Sequence, residues 1–350
     1  MFKICILSID NPHTAQLLLR VMPYANLKNT KISLGCLIKK FIKDQYNNDC
    51  DVQVEVNEKE IKNCDAVLIQ RSFPQKSTID IIKNIIKLKK KIIYDTDDLL
   101  VDLPEENSSP MKFLHNNSKK YIEEILPFID IFTTTTNSLR NKLIEVFNLR
   151  NIIVAPNLII ENLYPKVNNN FKKNEYFKII ISGHQKLLEI KHILDDLKKI
   201  LAFNKNVFLY FVGFNKPIEV FNNEKRVFFI APNTYIKYLI DVNNIKPDLA
   251  LVPYRNIEFN HYKTNIKFLD YSFLKIPGIY SKITPYYETI RHGINGIICN
   301  NERKWFDEIT KMLNNKKELL NLANQAKITV QKKYLLRNNL DIFNNICKKL

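Results

Sequence analysis

Residues 179–191 read IIISGHQKLLEIK, an apolar run that stops at Gly183 and passes into a stretch with helical spacing. A short apolar run followed by a turn and a helix is the unit from which parallel sheets are built. The unit recurs on both sides of this stretch, and strands are predicted at 3–9, 51–55, 66–70, 91–94, 131–134, 152–155, 177–182, 207–212, 227–230, 249–253, 278–281 and 296–299. The pattern predicts an α/β protein with two doubly wound, Rossmann-like domains.

The predicted domains are residues 1–164 and 165–333. Helices are expected at 27–45, 78–90, 119–126 and 137–147 in the first, and the polar run PKVNNNFKKNE at 165–175 is expected to be the linker. The last helical segment, 334–350, is expected to pack back on the first domain. A chain of 350 residues is long enough for two cores.

Several protein classes are excluded by missing motifs. The six glycines form neither G-x-G-x-x-G nor a phosphate loop, so a standard NAD enzyme or P-loop ATPase is not expected. No H-E-x-x-H, C-x-x-C or G-x-S-x-G occurs, so a zinc hydrolase, a structural zinc and a serine hydrolase are not supported. Six scattered cysteines and the lack of 18 consecutive apolar residues predict a cytoplasmic protein that does not span a membrane.

The charge is strongly basic: 53 Lys and Arg against 36 Asp and Glu give +17. This favours a polyanionic partner, either a nucleotide diphosphate, an anionic membrane or nucleic acid, although a solvated lysine-rich surface explains it equally. No nucleic-acid-binding motif is present, and nucleic acid is therefore not predicted as a partner. The lysines at 83, 87, 89, 90 and 91 are candidates for anionic lipid, the alternative being a solvated helix face.

Ligands of open α/β sheets bind beyond the carboxyl ends of strands. Residues 91–100, KIIYDTDDLL, place Asp95, Asp97 and Asp98 at such an end. Clustered acids raise one another's pKa, so one of them is expected to serve a sugar hydroxyl or a proton transfer. The alternatives are capping of a following helix by Asp97 or Asp98, and D-x-D metal binding. Arg20 is expected to face the same side, unless it is a surface residue.

Two further segments favour an anion. Gly183 lets a phosphate approach the backbone, and His184, Lys186 and Lys191 add positive charge unless they are merely solvated. In residues 253–272, PYRNIEFNHYKTNIKFLDYS, Thr264 is the expected N-cap of a helix that begins at Asn265. Lys263 and the helix amides would then lie by a diphosphate, with Lys267 and Asp270 on one face. Asp270 would accept ribose hydroxyls, or else pair with Lys267.

The quoted segments carry a family likeness. Residues 263–299, KTNIKFLDYSFLKIPGIYSKITPYYETIRHGINGIIC, resemble the acidic-motif helix and following segment of the GT-B glycosyltransferases, specifically the family 4-like group of bacterial surface-polysaccharide loci. DAVLIQRSFP at 65–74, KKIIYDTDDLLVDLP at 90–104 and LLRVMPYANL at 18–27 look like motifs of one subgroup. The first acid of the family's E-x7-E is Tyr262 here, and its Arg-Lys pair is replaced roughly by His184 and Lys191.

The resemblance implies a retaining transferase that needs no metal. A nucleotide-sugar donor would bind mainly to the second domain, and a glycan or lipid-linked acceptor to the first. The residues assigned by the likeness are Asp97 and Asp98 as catalytic, Arg20 and Arg71 on the acceptor side, and Gly183, His184, Lys191, Lys263, Thr264, Asn265, Lys267 and Asp270 at the donor. A nucleotide-sugar 2-epimerase of the same architecture and a non-catalytic partner protein are the alternatives.

Overall fold

The computed structural model describes residues 1–43, 50–101, 103, 112–167, 176–183, 187–299 and 304–350. They form two compact units. The first unit comprises Met1–Asn157, Tyr262–Thr264 and Asn339–Leu350, and the second Leu158–His261 and Asn265–Asn338. The first unit therefore ends seven residues before the expected boundary at 164, and it includes a later piece of the chain.

Each unit is built on a six-stranded parallel sheet. The strands are β1 Phe2–Leu7, β2 Thr30–Leu34, β3 Cys36–Lys43, β4 Cys50–Val56, β5 Ala66–Gln70, β6 Lys91–Thr96, β7 Ile131–Thr134, β8 Ile153–Val154, β9 Phe177–Ser182, β10 Val207–Val212, β11 Val227–Ile230, β12 Leu249–Val252, β13 Gly278–Ser281 and β14 Ile297–Cys299. The sheet orders are β2-β1-β5-β6-β7-β8 and β11-β10-β9-β12-β13-β14, and β3 and β4 form a separate antiparallel hairpin. The predicted α/β fold with two doubly wound domains is confirmed.

Helices connect the strands. They are α1 Ala15–Ala25, α2 Glu58–Asn63, α3 Ile79–Lys87, α4 Lys112–Ile125, α5 Asn137–Phe147, α6 Leu187–Ile190, α7 Leu194–Phe203, α8 Tyr235–Ile245, α9 Glu258–His261, α10 Ile266–Phe273, α11 Thr284–Tyr287, α12 Trp305–Leu313, α13 Lys316–Lys333 and α14 Leu340–Lys348. Within the described ranges, every helix is too short or too polar to cross a bilayer.

Continuous apolar runs explain the central strands. All five residues of β5 are buried, as expected for a parallel strand covered on both faces. The first core gathers side chains such as Val67 and Ile69 with Ile82 of α3, and the second gathers Ile179 and Leu251 with Trp305 of α12. Burial of these side chains holds each sheet between its helices.

The predicted helix at 27–45 is wrong, because β2 and β3 occupy this region. Gly35 separates the two strands, and its amide donates to the Ile6 carbonyl at 2.8 Å. A Cβ atom on Gly35 would lie 2.6 Å from Cys5 Sγ, so the chain can pass β1 this closely only with a glycine. The long-range pairing of β2 with β1 overrides the local helical pattern.

Helix α1 was not predicted. The Thr14 side chain caps it by accepting from the Leu17 amide at 3.4 Å, and Pro23 lies inside its last turn. Helix α14 packs against it, with the rings of Tyr24 and Phe343 5.1 Å apart and nearly perpendicular. Phe343 is fully buried, so the C-terminal segment completes the core of the first unit.

Candidate functional site

The first sheet reverses its strand order between β1 and β5, which is where ligands bind in open α/β sheets. Ser8 follows β1, and its hydroxyl donates to Gln70 Oε1 at 2.8 Å. The Gln70 amide in turn donates to the Gln16 carbonyl at 2.8 Å. These bonds fix the floor of the site at the ends of the two strands.

Arg71 is the central cation of this site. It follows β5 with φ of 54°, a left-handed conformation that costs energy for a residue with a side chain. Its amide donates to the Asp95 carbonyl at 2.7 Å, and the Tyr94 hydroxyl donates to its carbonyl at 2.6 Å. The guanidinium donates through Nη1 to Asp97 Oδ1 at 2.8 Å, and Nε lies 3.2 Å from Asp10 Oδ2. Arg71 is thus held between two carboxylates from different strand ends.

Asp97 has an unusual protonation equilibrium. Burial raises its pKa to about 7, the carboxylates of Asp98 and Asp10 raise it as well, and Arg71 opposes them. A carboxyl group with this pKa exchanges protons near neutrality. The catalytic role of Asp97 and Asp98 stays a prediction. The capping alternative is wrong, because the three described residues that follow Asp98, Leu99 to Val101, are not helical.

Arg20 lies inside the first unit. Its Nε donates to Asp95 Oδ2 at 3.0 Å, Nη2 to Asp95 Oδ1 at 2.5 Å, and Nη1 to the Ala155 carbonyl. Thr133 donates to the same Asp95 Oδ1 at 2.6 Å. The arginine is 2% exposed, so the surface-residue alternative is wrong. Its assignment to the acceptor side stays a prediction.

Sequence reasoning missed three members of this site. Asp10 follows the first strand, and the carboxyl-end rule applied there would have found it. Ser72 and His115 form a buried pair with Oγ and Nδ1 2.7 Å apart. Burial and the Arg71 charge lower the pKa of His115 to about 3, so its ring is neutral and structural near pH 7.

The second sheet reverses between β9 and β12, and a small open pocket lies there. The polar residues of its lining are Ser182, Gly183, Glu189 and Tyr254. The amide of Gly183 donates to the Val212 carbonyl at 3.0 Å, which fixes the turn after β9. His184 and Lys186 lie outside the described residues, and Lys191 is exposed in a single 3-10 turn.

The helix predicted from Asn265 is present as α10 but begins one residue later. Asn265 is its N-cap, and the expected capping by Thr264 is wrong. The Asn265 side chain donates to Thr289 Oγ1 at 3.1 Å instead of capping the helix. Lys263 and Thr264 belong to the first compact unit, whereas α10 belongs to the second.

Asp270 lies on α10 and is 1% exposed. Its Oδ1 accepts from the hydroxyls of Tyr164 at 2.8 Å and Tyr235 at 2.6 Å, and its Oδ2 is buried without a partner among the described residues. Burial raises the pKa of Asp270, and the Lys267 ammonium opposes this. Lys267 itself lies 4.2 Å from the Tyr238 ring centre and donates to its hydroxyl at 3.1 Å. The ribose-binding role of Asp270 stays a prediction.

Comparison with solved structures identifies the type of fold. No protein-family model and no curated protein sequence matches the chain. Among solved structures, sucrose-phosphate synthase from Thermosynechococcus elongatus matches with a TM-score of 0.73 and 11% identity, covering 100% of this chain and 99% of that one. HepE from Anabaena, solved with UDP-glucose, matches at 0.69 and 14%, covering 99% and 100%.

TarM, a third solved structure, matches at a TM-score of 0.61 and 15% identity over 87% of this chain. The match spans 62% of TarM, so this chain corresponds to about three fifths of that protein. At these identities the likeness concerns architecture, and it shows that the chain has the GT-B fold.

Proposed function

We propose that this protein is a glycosyltransferase that moves a sugar from a nucleotide-sugar donor to a glycan or lipid-linked acceptor, with retention of configuration, in cell-surface polysaccharide synthesis. The observation that carries the proposal is the chemistry at the two strand-order reversals. At one reversal the Arg71 guanidinium lies between the carboxyl groups of Asp10 and the buried Asp97, and at the other a pocket has a glycine directly after the strand. The GT-B fold and the UDP-glucose bound to HepE support this assignment.

The donor is assigned to the second unit. Gly183 presents backbone without a side chain to a phosphate, and the N-terminal amides of α10 favour the leaving diphosphate. Asp270 is assigned to the ribose through the unpartnered Oδ2, with its other oxygen held by two tyrosines. Lys191 is proposed to add positive charge to this site, whereas Lys263 belongs to the first unit and its donor-binding role stays a prediction from the sequence. Negative charge builds on the diphosphate as the glycosidic bond breaks, so fixed amides and cations lower the barrier.

The acceptor is assigned to the first unit. Asp97 is proposed to hold or accept the proton of the reacting hydroxyl group, with Asp98 beside it and Arg71 fixing its orientation. The contacts of its guanidinium with Asp10 and Asp97 hold the Arg71 side chain in place. No metal is assigned, because the cations and amides of the chain are proposed to offset the charge of the diphosphate.

We also propose that the enzyme works in the cytoplasm on intermediates of the inner membrane face. Membrane contact through the lysines around α3 stays a prediction. Two of them have acidic partners: Lys83 pairs with Glu124 at 2.8 Å and Lys91 with Asp130 at 2.7 Å. Lys90 donates to the carbonyls of Lys62 and Cys64. These partners favour the solvated-face interpretation of the lysine run.

Thermal unfolding of the wild type and Asp270→Ala with UDP, GDP, CMP and ADP tests the donor site. A ligand at 100 times its dissociation constant adds about 2.7 kcal/mol of stability. We expect one nucleotide to stabilise the wild type and to have no effect on Asp270→Ala, whereas the control Asp241→Ala, which removes an exposed pair with Lys237, keeps the full shift. A wild type that responds to none of the four nucleotides refutes the donor assignment.

The epimerase alternative is separated by products. A glycosyltransferase releases a nucleoside diphosphate in an acceptor-dependent way, whereas an epimerase converts one nucleotide sugar into another without any acceptor. Incubation of the protein with the stabilising nucleotide's sugar derivatives, followed by chromatography, distinguishes the two. Conversion to a second nucleotide sugar without an acceptor would replace the transferase proposal.

A further inference from the structure

A polar cluster borders the pocket of the second unit. Glu189 of α6 accepts through Oε2 from the Arg255 amide at 3.0 Å and from Asn260 Nδ2 at 2.8 Å. Arg255 Nη2 lies 3.8 Å from Glu189 Oε1, and Asn260 Nδ2 also donates to the Arg255 carbonyl at 2.9 Å. Glu189 therefore contacts both the backbone amide and the guanidinium of Arg255, and Asn260 contacts its backbone carbonyl.

The cluster lies beside the pocket of the second unit. Glu189 lines this pocket together with Gly183, which follows β9, and Tyr254, which precedes Arg255 in the loop after β12. A carboxylate alone at this position repels a phosphate group. The Arg255 guanidinium offsets that charge at the place where strand order reverses and ligands bind.

Two atoms of the cluster are buried and lack partners in the described part of the chain: Arg255 Nε and Asn260 Oδ1. Buried donors and acceptors are nearly always hydrogen-bonded, so these two atoms leave the hydrogen bonding of the cluster incomplete. A guanidinium offers a planar set of donors that matches two oxygens of a phosphate. The side chain is 27% exposed, so it is partly buried and still open to a ligand.

We infer that Arg255, which lies beside the pocket next to the lining residues Tyr254 and Glu189, binds an anionic group of a ligand at the pocket edge, namely the diphosphate of the donor, and that Glu189 and Asn260 are its positioning residues. The inference rests on the proposed function for the identity of the ligand. It assigns the main diphosphate cation to the loop after β12, at a residue that the sequence motifs do not single out. The parallel N–H donors of the Arg255 guanidinium then bind the diphosphate oxygens on which negative charge develops as the sugar is transferred.

Binding of UDP, uridine and inorganic pyrophosphate to the full chain, measured by calorimetry, tests the inference. Loss of one charge-assisted hydrogen bond weakens binding by about tenfold or more. We expect Arg255→Gln to weaken UDP and pyrophosphate to this extent and to change uridine by less than about twofold. Arg255→Lys, which keeps the charge and loses the fork, should fall between the wild type and Arg255→Gln.

The matched control is Arg226→Gln, which removes an arginine paired with Glu224 at 2.9 Å in the same unit. It should bind all three probes as the wild type does.

Equal affinity of wild type and Arg255→Gln for UDP overturns the inference, and so does an equal loss of affinity for UDP and uridine. If Arg255→Gln does not fold, the UDP-to-uridine affinity ratio of Arg255→Lys decides: a lower ratio supports the inference, and an unchanged one overturns it. A wild type that binds no UDP refutes a UDP donor, whereas a wild type that binds UDP independently of Arg255 refutes this inference alone.

Discussion

Replacement of Arg20 by alanine should destabilise the first unit strongly. The side chains of Arg20 and Asp95 are 2% and 3% exposed, and three arginine nitrogens donate to Asp95 or to the Ala155 carbonyl. The substitution leaves the Asp95 carboxylate in the core with the Thr133 hydroxyl but without its cation. Breaking a buried pair in this way costs about 3–5 kcal/mol of unfolding free energy.

Urea denaturation followed by circular dichroism measures this loss. The control is Lys62→Ala, which removes a pair with Glu58 whose side chains are 61% and 73% exposed, and which should cost at most about 1 kcal/mol. Arg20→Lys keeps the charge and loses the bidentate geometry, so its midpoint should lie between those of Arg20→Ala and the wild type. If Arg20→Ala loses no more stability than Lys62→Ala does, the pair is not the internal anchor that the geometry indicates.

Three other perturbations test the fold and the site. The pKa of Asp97 is about 7 in the folded protein, above its usual 3.8, so its contribution to stability is present at low pH and lost as pH rises from about 4 to 7. Between pH 5 and 8, the urea midpoint of Asp97→Asn should fall less with rising pH than that of the wild type. Midpoints that fall in parallel in the two proteins would contradict the assignment. Gly35→Ala places Cβ 2.6 Å from Cys5 Sγ and should cost about 1–3 kcal/mol in thermal unfolding; an unchanged melting temperature argues against the close approach. Phe343→Ala removes a fully buried ring and should cost about 3–5 kcal/mol by urea denaturation, whereas a loss below 1 kcal/mol would mean that α14 is peripheral.

The strands that could be predicted are those that contain a short apolar stretch which the sheet buries. The runs at Ala66–Gln70, Ile131–Thr134 and Phe177–Ser182 have the predicted bounds, because each includes such a stretch and most of its residues are buried. The region of β2 and β3 was misassigned because its lysines and isoleucines also fit a helix, and its strands depend on pairing with β1 and β4. Local spacing does not contain those distant partners.

The candidate site, like the fold, could be predicted only in part. The carboxyl-end rule located Asp97 and Gly183, since strand ends are visible in the sequence. The partners of these residues come from distant segments: Arg71 from β5 reaches Asp97, and Glu189 reaches Arg255 across 66 residues. Such pairs follow from sheet order, and a single sequence shows neither the order nor the pairing.

The first unit is discontinuous in the sequence, and this orders its folding during synthesis. Phe343 of α14 belongs to its core beside Tyr24, yet it is translated after the whole second unit. On the ribosome, the apolar surface of α1 that α14 covers therefore stays exposed until this last helix is translated. The second unit is complete before then. A premature stop codon just before residue 339 would remove α14 and so destabilise the first unit, although most of that unit is translated before the second.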